Sequence, residues 1–337
     1  MNESQLQDQF DVAVVVPTTF RQSLTKSILS IFNQSYKGRI QILIGVDKRN
    51  GDASQLAKLR QCCPNNIALT ILDLGYSTST RHGGFYPNAY SGAIRTILSY
   101  AANSKYVAYL DDDDDWWRAD HIKKLLNIIQ GKDWAFSLRW FADKETGWLI
   151  CRDEWDSLGP GKGINAKRFG GFISPSNLML NKDACHFVFP FWSLSPFKDG
   201  TGEDRLVFNE LLKLKNYEGS NEYSCFYAIP EDVQHHAHHK KEFGQRGIDW
   251  IYQRSEIQKF QKLERTIQFE IEAKKMPSKD LVDSLLSFNR YSIPGLISRT
   301  QFTSPDDCSV DISKHSKILE QILDSESTPS FGDIIKN

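Results

Sequence analysis

The chain has 337 residues and sets 41 Lys and Arg against 42 Asp and Glu, so its formal net charge of -1 offers no global field to polyanions and disfavours a general nucleic-acid binder. With 40% hydrophobic, 12% aromatic and 25% charged residues it can bury a substantial core, and its composition is not that of a disordered protein. The length favours one large domain with an appendage.

The opening MNESQLQDQF is acidic and polar, without the basic and apolar regions of a signal peptide. Residues 12–16, Val-Ala-Val-Val-Val, form a β-branched run stopped by Pro17, which predicts a buried parallel strand feeding a loop. Leu24, Ile28, Leu29, Ile31 and Phe32 recur at near-helical spacing and predict a helix over 23–32. Strands are expected at 41–46, ending at Asp47, and at 68–72. A helix over 90–102 precedes a fourth strand at 106–110, which runs into five consecutive aspartates, Asp111 to Asp115. This alternation implies an α/β fold with a mostly parallel sheet flanked by helices. Ligands bind such sheets beyond the carboxyl ends of the strands, so Asp47 and the acidic run are expected on one rim.

From 134 to 197 the texture turns to aromatics, glycines and prolines with strand-like pieces. Gly159 to Gly163 lacks the Walker sequence and reads as a flap over a ligand or a plain linker, while the glycines in Phe169 to Asn177 permit close backbone approach to a bound group. Trp140, Trp148, Trp155 and Trp192 offer faces for stacking on carbohydrate, although core packing is the commoner fate of tryptophan. Helices are predicted at 204–215, 250–275 and 279–288, followed by a Ser/Asp/Lys-rich tail of about 35 residues expected to dock only in part. The six cysteines include an adjacent pair and no C-x-x-C spacing, which reads as reduced thiols. No apolar run approaches the roughly 18 residues a membrane span needs. A cytoplasmic location follows as the expectation, with peripheral membrane contact left open.

The sharpest feature is Leu110 to Trp117, an apolar strand end, five carboxylates and two tryptophans. Five adjacent carboxylates repel one another unless a cation joins them, and hard oxygen ligands suit Mg²⁺ or Mn²⁺ that also takes oxygens from a diphosphate. A solvated acidic turn is the plain alternative, weakened by the strand before the run and the aromatic pair after it. Taken with the loop Val15-Val16-Pro17-Thr18-Thr19-Phe20-Arg21, the Gln34-Ser35-Tyr36 triplet, Asp47, Arg95 and the Gly202-Glu203-Asp204 triplet, the sequence resembles the GT-A fold glycosyltransferases of the family 2 type over about residues 10–240. Where that family has Asp-Asp-Gly-Ser, this chain keeps only Asp47, and of its Ala-Arg-Asn pattern only Arg95.

The resemblance implies a nucleotide site formed by Pro17, Thr18, Thr19 and Asp47, with Asp112 facing the ribose and Arg21 and Arg95 pairing with a diphosphate or with Asp47. It implies a metal, Mn²⁺ or Mg²⁺, on Asp111 and Asp113, with a histidine of the 235–239 cluster, taken as His238, as a third ligand; zinc finds no supporting partner pattern there. Asp204 is the expected general base, with Glu203 as its stand-in or as a group that orients the acceptor or an arginine. Acids at a helix start are also explained by the helix dipole alone. The implied organisation is a GT-A domain over 10–245, with a nucleotide half at 10–117 and an acceptor half at 118–245, followed by a helical extension at 246–337. The implied reaction moves a sugar from a nucleoside diphosphate sugar, with UDP as the expected nucleotide, to a hydroxyl of a glycan, glycolipid or small molecule with inversion. A retaining enzyme and a degenerate scaffold or carbohydrate-binding module stand as alternatives. A sugar-nucleotide pyrophosphorylase is disfavoured because no glycine-rich loop follows the first strand.

Overall fold

The computed structural model describes residues 9–84, 88, 90–143, 149–153 and 156–229. The chain divides into two compact units, one of residues 1–139 and 156–225, the other of 140–155 and 226–337.

In the first unit, β1 (Phe10–Thr18), α1 (Ser23–Phe32), β2 (Ile40–Val46), α2 (Gln55–Gln61) and β3 (Ile67–Asp73) alternate, followed by α3 (Gly92–Ala101) and β4 (Ser104–Tyr109). Val12 to Val16 are fully buried and so are Ile40, Ile42 and Ile44, because helices cover both faces of a parallel sheet. Burial of each such side chain is worth about 1.5–3 kcal/mol, enough to fix one register. β1 pairs in parallel with β2 and with β4, and β2 with β3. After α4 (His121–Ile128) come β5 (Trp134–Asp143), the short β7 (Gly159–Pro160), α5 (Ala166–Phe169), β8 (Gly171–Phe172), β9 (Leu178–Asn181), α6 (Lys182–Cys185), α7 (Glu203–Leu211) and β10 (Tyr217–Ile229), with β6 (Leu149–Arg152) in the second unit.

The sheet order is β10-β5-β9-β4-β1-β2-β3. β9 lies antiparallel to both β4 and β5, so β5 shares the direction of β1 to β4 and β9 alone is reversed among these six strands. The α/β class and mostly parallel sheet are those expected from the alternation. The predicted helix over 204–215 ends earlier, at Leu211, because Lys213 and Leu214 close tight turns onto Glu210 and Leu211. Gly159 to Gly163 is not a plain linker: Gly159 and Pro160 pair with Phe172 and Gly171, and Gly161 N donates to Gly170 O at 2.7 Å. The close approach permitted at Gly171 is thus to the chain's own 159–161 backbone.

In the second unit, β6 pairs antiparallel with the end of β5, Trp140 opposite Arg152. Trp140 is buried, as is Trp192 in the first unit, so neither presents a stacking face. Trp148, Trp155, the histidine cluster, both helices expected after residue 250 and the 246–337 extension lie outside the described residues. Among the described residues no helix is long and apolar enough to cross a membrane.

Candidate active site

The site begins where β1 and β4 part. Chain order reverses between these two neighbours, since β1 leads outward to β2 and β3 while β4 lies on its other side. This is the topological switch point, where open α/β sheets bind ligands. The last backbone bond between the strands runs from Leu110 N to Val15 O at 3.0 Å, while β1 stays paired with β2 as far as Thr18. Pro17 has no N–H with which to extend the ladder. The loop after β1 and the acidic run after β4 face each other across the opening.

Thr18 Oγ1 donates to Asp112 Oδ2 at 2.7 Å and the Thr19 amide to the same oxygen at 3.4 Å. Arg21 Nη1 donates to Asp112 Oδ1 at 3.1 Å and to Asp113 Oδ2 at 2.6 Å. The loop under Arg21 is stiff: Phe20 has a left-handed φ of 62°, its amide donates to Thr18 Oγ1 at 2.8 Å, and Gln55 Nε2 donates to the carbonyls of Phe20 and Arg21. A non-glycine residue in that region stores strain of about 1–3 kcal/mol, which the surrounding bonds sustain.

The five aspartates divide by environment. Asp111 and Asp113 keep side chains 25% exposed, whereas Asp112, Asp114 and Asp115 are buried. Burial pushes the Asp112 carboxyl up to about 6, against the opposing pull of Arg21. Burial, with the charges of Asp113 and Asp111, raises Asp114 well above the carboxylate range, and Ser176 Oγ donates to it at 2.6 Å. Asp115 pairs with Lys26 Nζ at 2.5 Å. The same Ser176 accepts from the Asp111 amide at 3.2 Å, and its carbonyl accepts from the Trp116 indole N–H at 2.8 Å. Trp116 is buried and stacks on His121 at 4.2 Å, and the Trp117 indole donates to Tyr223 O, so both pack beneath the run. Gln34 of the Gln34-Ser35-Tyr36 triplet braces the segment behind them, donating to Arg118 O and accepting from Ile122 N.

α3 brings Arg95 to the rim. Gly45 in β2 makes this possible, because any Cβ there would overlap Ile94 Cγ2 and come within 2.7 Å of Leu98 Cδ1. Arg95 is buried over the Trp192 ring, pairs through Nη2 with Asp111 and reaches Glu203 Oε1 from Nη1 at 3.4 Å. Burial alone would lower its pKa, but Asp111 and Glu203 outweigh that and hold it charged. Arg95 therefore joins the acidic run to the start of α7, where Gly202 turns the chain with a φ of 86°. Glu203 is buried and its carboxyl is pushed up to about 8, first by burial and then by Asp204. Asp204 is 23% exposed by its side chain, and both of its bonds, from Arg205 N at 2.8 Å and Arg205 Nη1 at 3.3 Å, fall on Oδ1.

The expected pairing of the arginines with Asp47 is corrected: neither Arg21 nor Arg95 makes it, because each meets a carboxylate of the acidic run or α7 instead. Asp112, expected to face a ribose, bonds Thr18 and Arg21 on the same rim. Asp47 does lie at the same strand-end level, its amide bonded to Thr18 O at 2.9 Å, but its Oδ1 accepts from Thr78 N and Oγ1, both at 3.1 Å. Thr78, Lys26 and Gln55 were not legible as site residues, since each acts through a partner at least 30 residues away and belongs to no charged or glycine-rich pattern, and Ser176 was legible only as part of the Phe169 to Asn177 segment.

Among the described residues no three His, Cys, Asp or Glu side chains form a ready-made metal cage, and His238 lies outside them. Asp111 and Asp113 nonetheless suit a cation of the Mg²⁺ kind, which binds through one or two carboxylates and completes its shell with water and substrate phosphate.

The Glu203 shift has a testable sign. A carboxyl whose folded pKa lies above its unfolded value lends stability below the unfolded pKa and loses it as pH rises through the folded one. Glu203→Gln is therefore expected to gain melting temperature relative to wild type between about pH 5 and pH 8, in scans run without metal. A gap that stays constant over that window contradicts the shift.

No family model matches the sequence, and no curated protein matches it. Among solved structures the chain is similar to S. aureus TarS 1-349, at 13% identity over 97% of this chain and 80% of that one, with a TM-score of 0.46. It is similar to the same protein in complex with UDP, at 13% over 93% and 87%, TM-score 0.46. It is also similar to the mannosyltransferase PcManGT from Pyrobaculum calidifontis in complex with GDP-Man and Mn²⁺, at 11% over 95% and 85%, TM-score 0.44. Likenesses this distant carry no weight for function, which has to rest on the geometry of the rim.

Proposed function

We propose that the chain is a GT-A glycosyltransferase of the family 2 type that moves a sugar from a nucleoside diphosphate sugar, UDP being the expected nucleotide, to a hydroxyl acceptor with inversion. The observation that supports this most is Arg95, whose one guanidinium contacts Asp111 after β4 and Glu203 at the start of α7, joining a donor-side acidic run to an acceptor-side acid pair. Residues 10–117 serve as the nucleotide half and 118–245 as the acceptor half. Pro17 to Thr19 and Asp47 frame the base, with Thr78 fixing the Asp47 carboxylate. Asp111 and Asp113 would hold Mn²⁺ or Mg²⁺, which supplies positive charge to the departing diphosphate when bound. Arg21 and Arg95 add positive charge beside it. Asp204 takes the acceptor's proton as its oxygen attacks the anomeric carbon. Glu203, largely protonated near neutral pH, orients Arg95 rather than accepting a proton.

The test follows melting temperature with UDP, GDP, dTDP and CDP, each with and without Mn²⁺, alongside release of free sugar from the corresponding donors. Stabilisation by one nucleotide that requires Mn²⁺, together with donor turnover, is the expected result; a ligand at 100 times its Kd adds about 2.7 kcal/mol. Stabilisation without turnover would favour the binding-module alternative. Asp113→Asn is expected to remove the Mn²⁺-dependent part of the shift and leave the metal-free melting temperature within about 2 °C, since a half-exposed carboxylate contributes little to folding. Undiminished turnover of that variant in the presence of a chelator would remove the metal from the mechanism.

A further inference from the structure

Arg21 occupies the place that a metal ion would contest. It spans Asp112 and Asp113 on one flank of the acidic run, while Arg95 covers Asp111 on the other. The two arginines differ in freedom. Arg95 has a side chain 9% exposed and packed on Trp192, but that of Arg21 is 46% exposed and rooted in a backbone held by Phe20, Thr18 and Gln55. The root is fixed and the guanidinium is at the solvent edge.

Resting on the nucleotide-sugar reading above, we propose that Arg21 is a resident counter-ion that leaves Asp113 for the donor diphosphate when a divalent cation arrives. Its fork suits carboxylate and phosphate alike, and Nη1 does not serve both at once. A cation alone must displace Arg21 with no acceptor to receive it. A nucleotide alone finds Arg21 engaged. Together they satisfy every charge, so cation and nucleoside diphosphate bind cooperatively, each raising the other's affinity by the same factor. An arginine that stayed on the carboxylates would repel the cation without creating this coupling.

Calorimetric titration of the full chain with Mn²⁺ alone, UDP or GDP alone, and each nucleotide in the presence of Mn²⁺ measures that factor in wild type, Arg21→Gln and Arg21→Lys. The expected coupling is about tenfold or more in wild type. Arg21→Gln is expected to bind Mn²⁺ alone more tightly and to lose most of the coupling, while Arg21→Lys, still able to exchange a cation, keeps more than half of it. Coupling unchanged in Arg21→Gln overturns the exchange and leaves the nucleotide reading intact, as does weaker Mn²⁺ binding in that variant. Equal loss in both variants with a lowered melting temperature assigns the effect to folding and overturns the exchange as well. Mn²⁺ binding with no nucleotide binding in any variant overturns exchange and reading together.

Discussion

Asp204→Asn is expected to lower the rate of sugar transfer by about 10²- to 10⁴-fold while leaving donor binding and the melting temperature near wild type. The carboxylate sits at the first turn of α7, partly exposed, and its bonds to Arg205 are confined to Oδ1. The amide is isosteric and its oxygen can keep the bond from Arg205 N, so the loss would be one of proton acceptance rather than of structure. Glu203 is a poor substitute: its carboxyl, pushed up to about 8, is mostly protonated at neutral pH and engaged by Arg95. Glu203→Gln should therefore reduce the rate far less than Asp204→Asn. Full activity in Asp204→Asn, with the anomeric configuration of the donor retained in the product, would point to the retaining alternative. Turnover absent even from wild type, with nucleotide binding intact, would point to a binding module.

The parts legible in the sequence are those whose signal is local. β1, β2 and β4 were readable because a strand buried along most of its length is written as an apolar run, β3 because its half-buried stretch is still mostly aliphatic, and α1 because its buried face repeats every three to four residues. β10 gave no such signal. Its Tyr217-Glu-Gly-Ser-Asn-Glu-Tyr start mixes polar and glycine residues, as suits a strand that ends the sheet order among the described residues. α2 and α4 are short and amphipathic, with two and four buried residues respectively, too few to stand out from a charged loop. In the site, the sequence placed the acidic run and the Glu203-Asp204 pair but left the partners of the arginines open. Nothing local told Arg95 to choose Asp111 and Glu203 over Asp47; packing of α3 against Gly45 decided it. Nor did the run of five identical residues reveal that alternate members differ, with Asp112 and Asp114 turned onto Thr18 and Ser176 and Asp111 and Asp113 half-open.

Arg95→Met should carry the largest stability effect of any single change at the rim. Methionine fills much of the stem's space over Trp192, so the loss is chiefly electrostatic. Removing one member of a buried ion pair leaves its partners uncompensated and typically costs about 3–5 kcal/mol, which for a unit of this size lowers the melting temperature by about 10 °C. Here two carboxylates, Asp111 and Glu203, lose the same guanidinium. Glu203, whose carboxyl burial already pushes up to about 8, then holds its proton more strongly still, so the stability lost on ionising it grows as pH rises. The deficit of Arg95→Met should thus be smaller near pH 5 than at pH 8. Pairing it with Glu203→Gln, which removes the charge that Glu203 would take on at alkaline pH, should recover part of the loss there, and the non-additivity of the two changes measures the pair. A deficit that is independent of pH and strictly additive with Glu203→Gln would mean that Arg95 packs against Trp192 without linking the two acids, and the joined rim on which the transferase reading depends would fail with it.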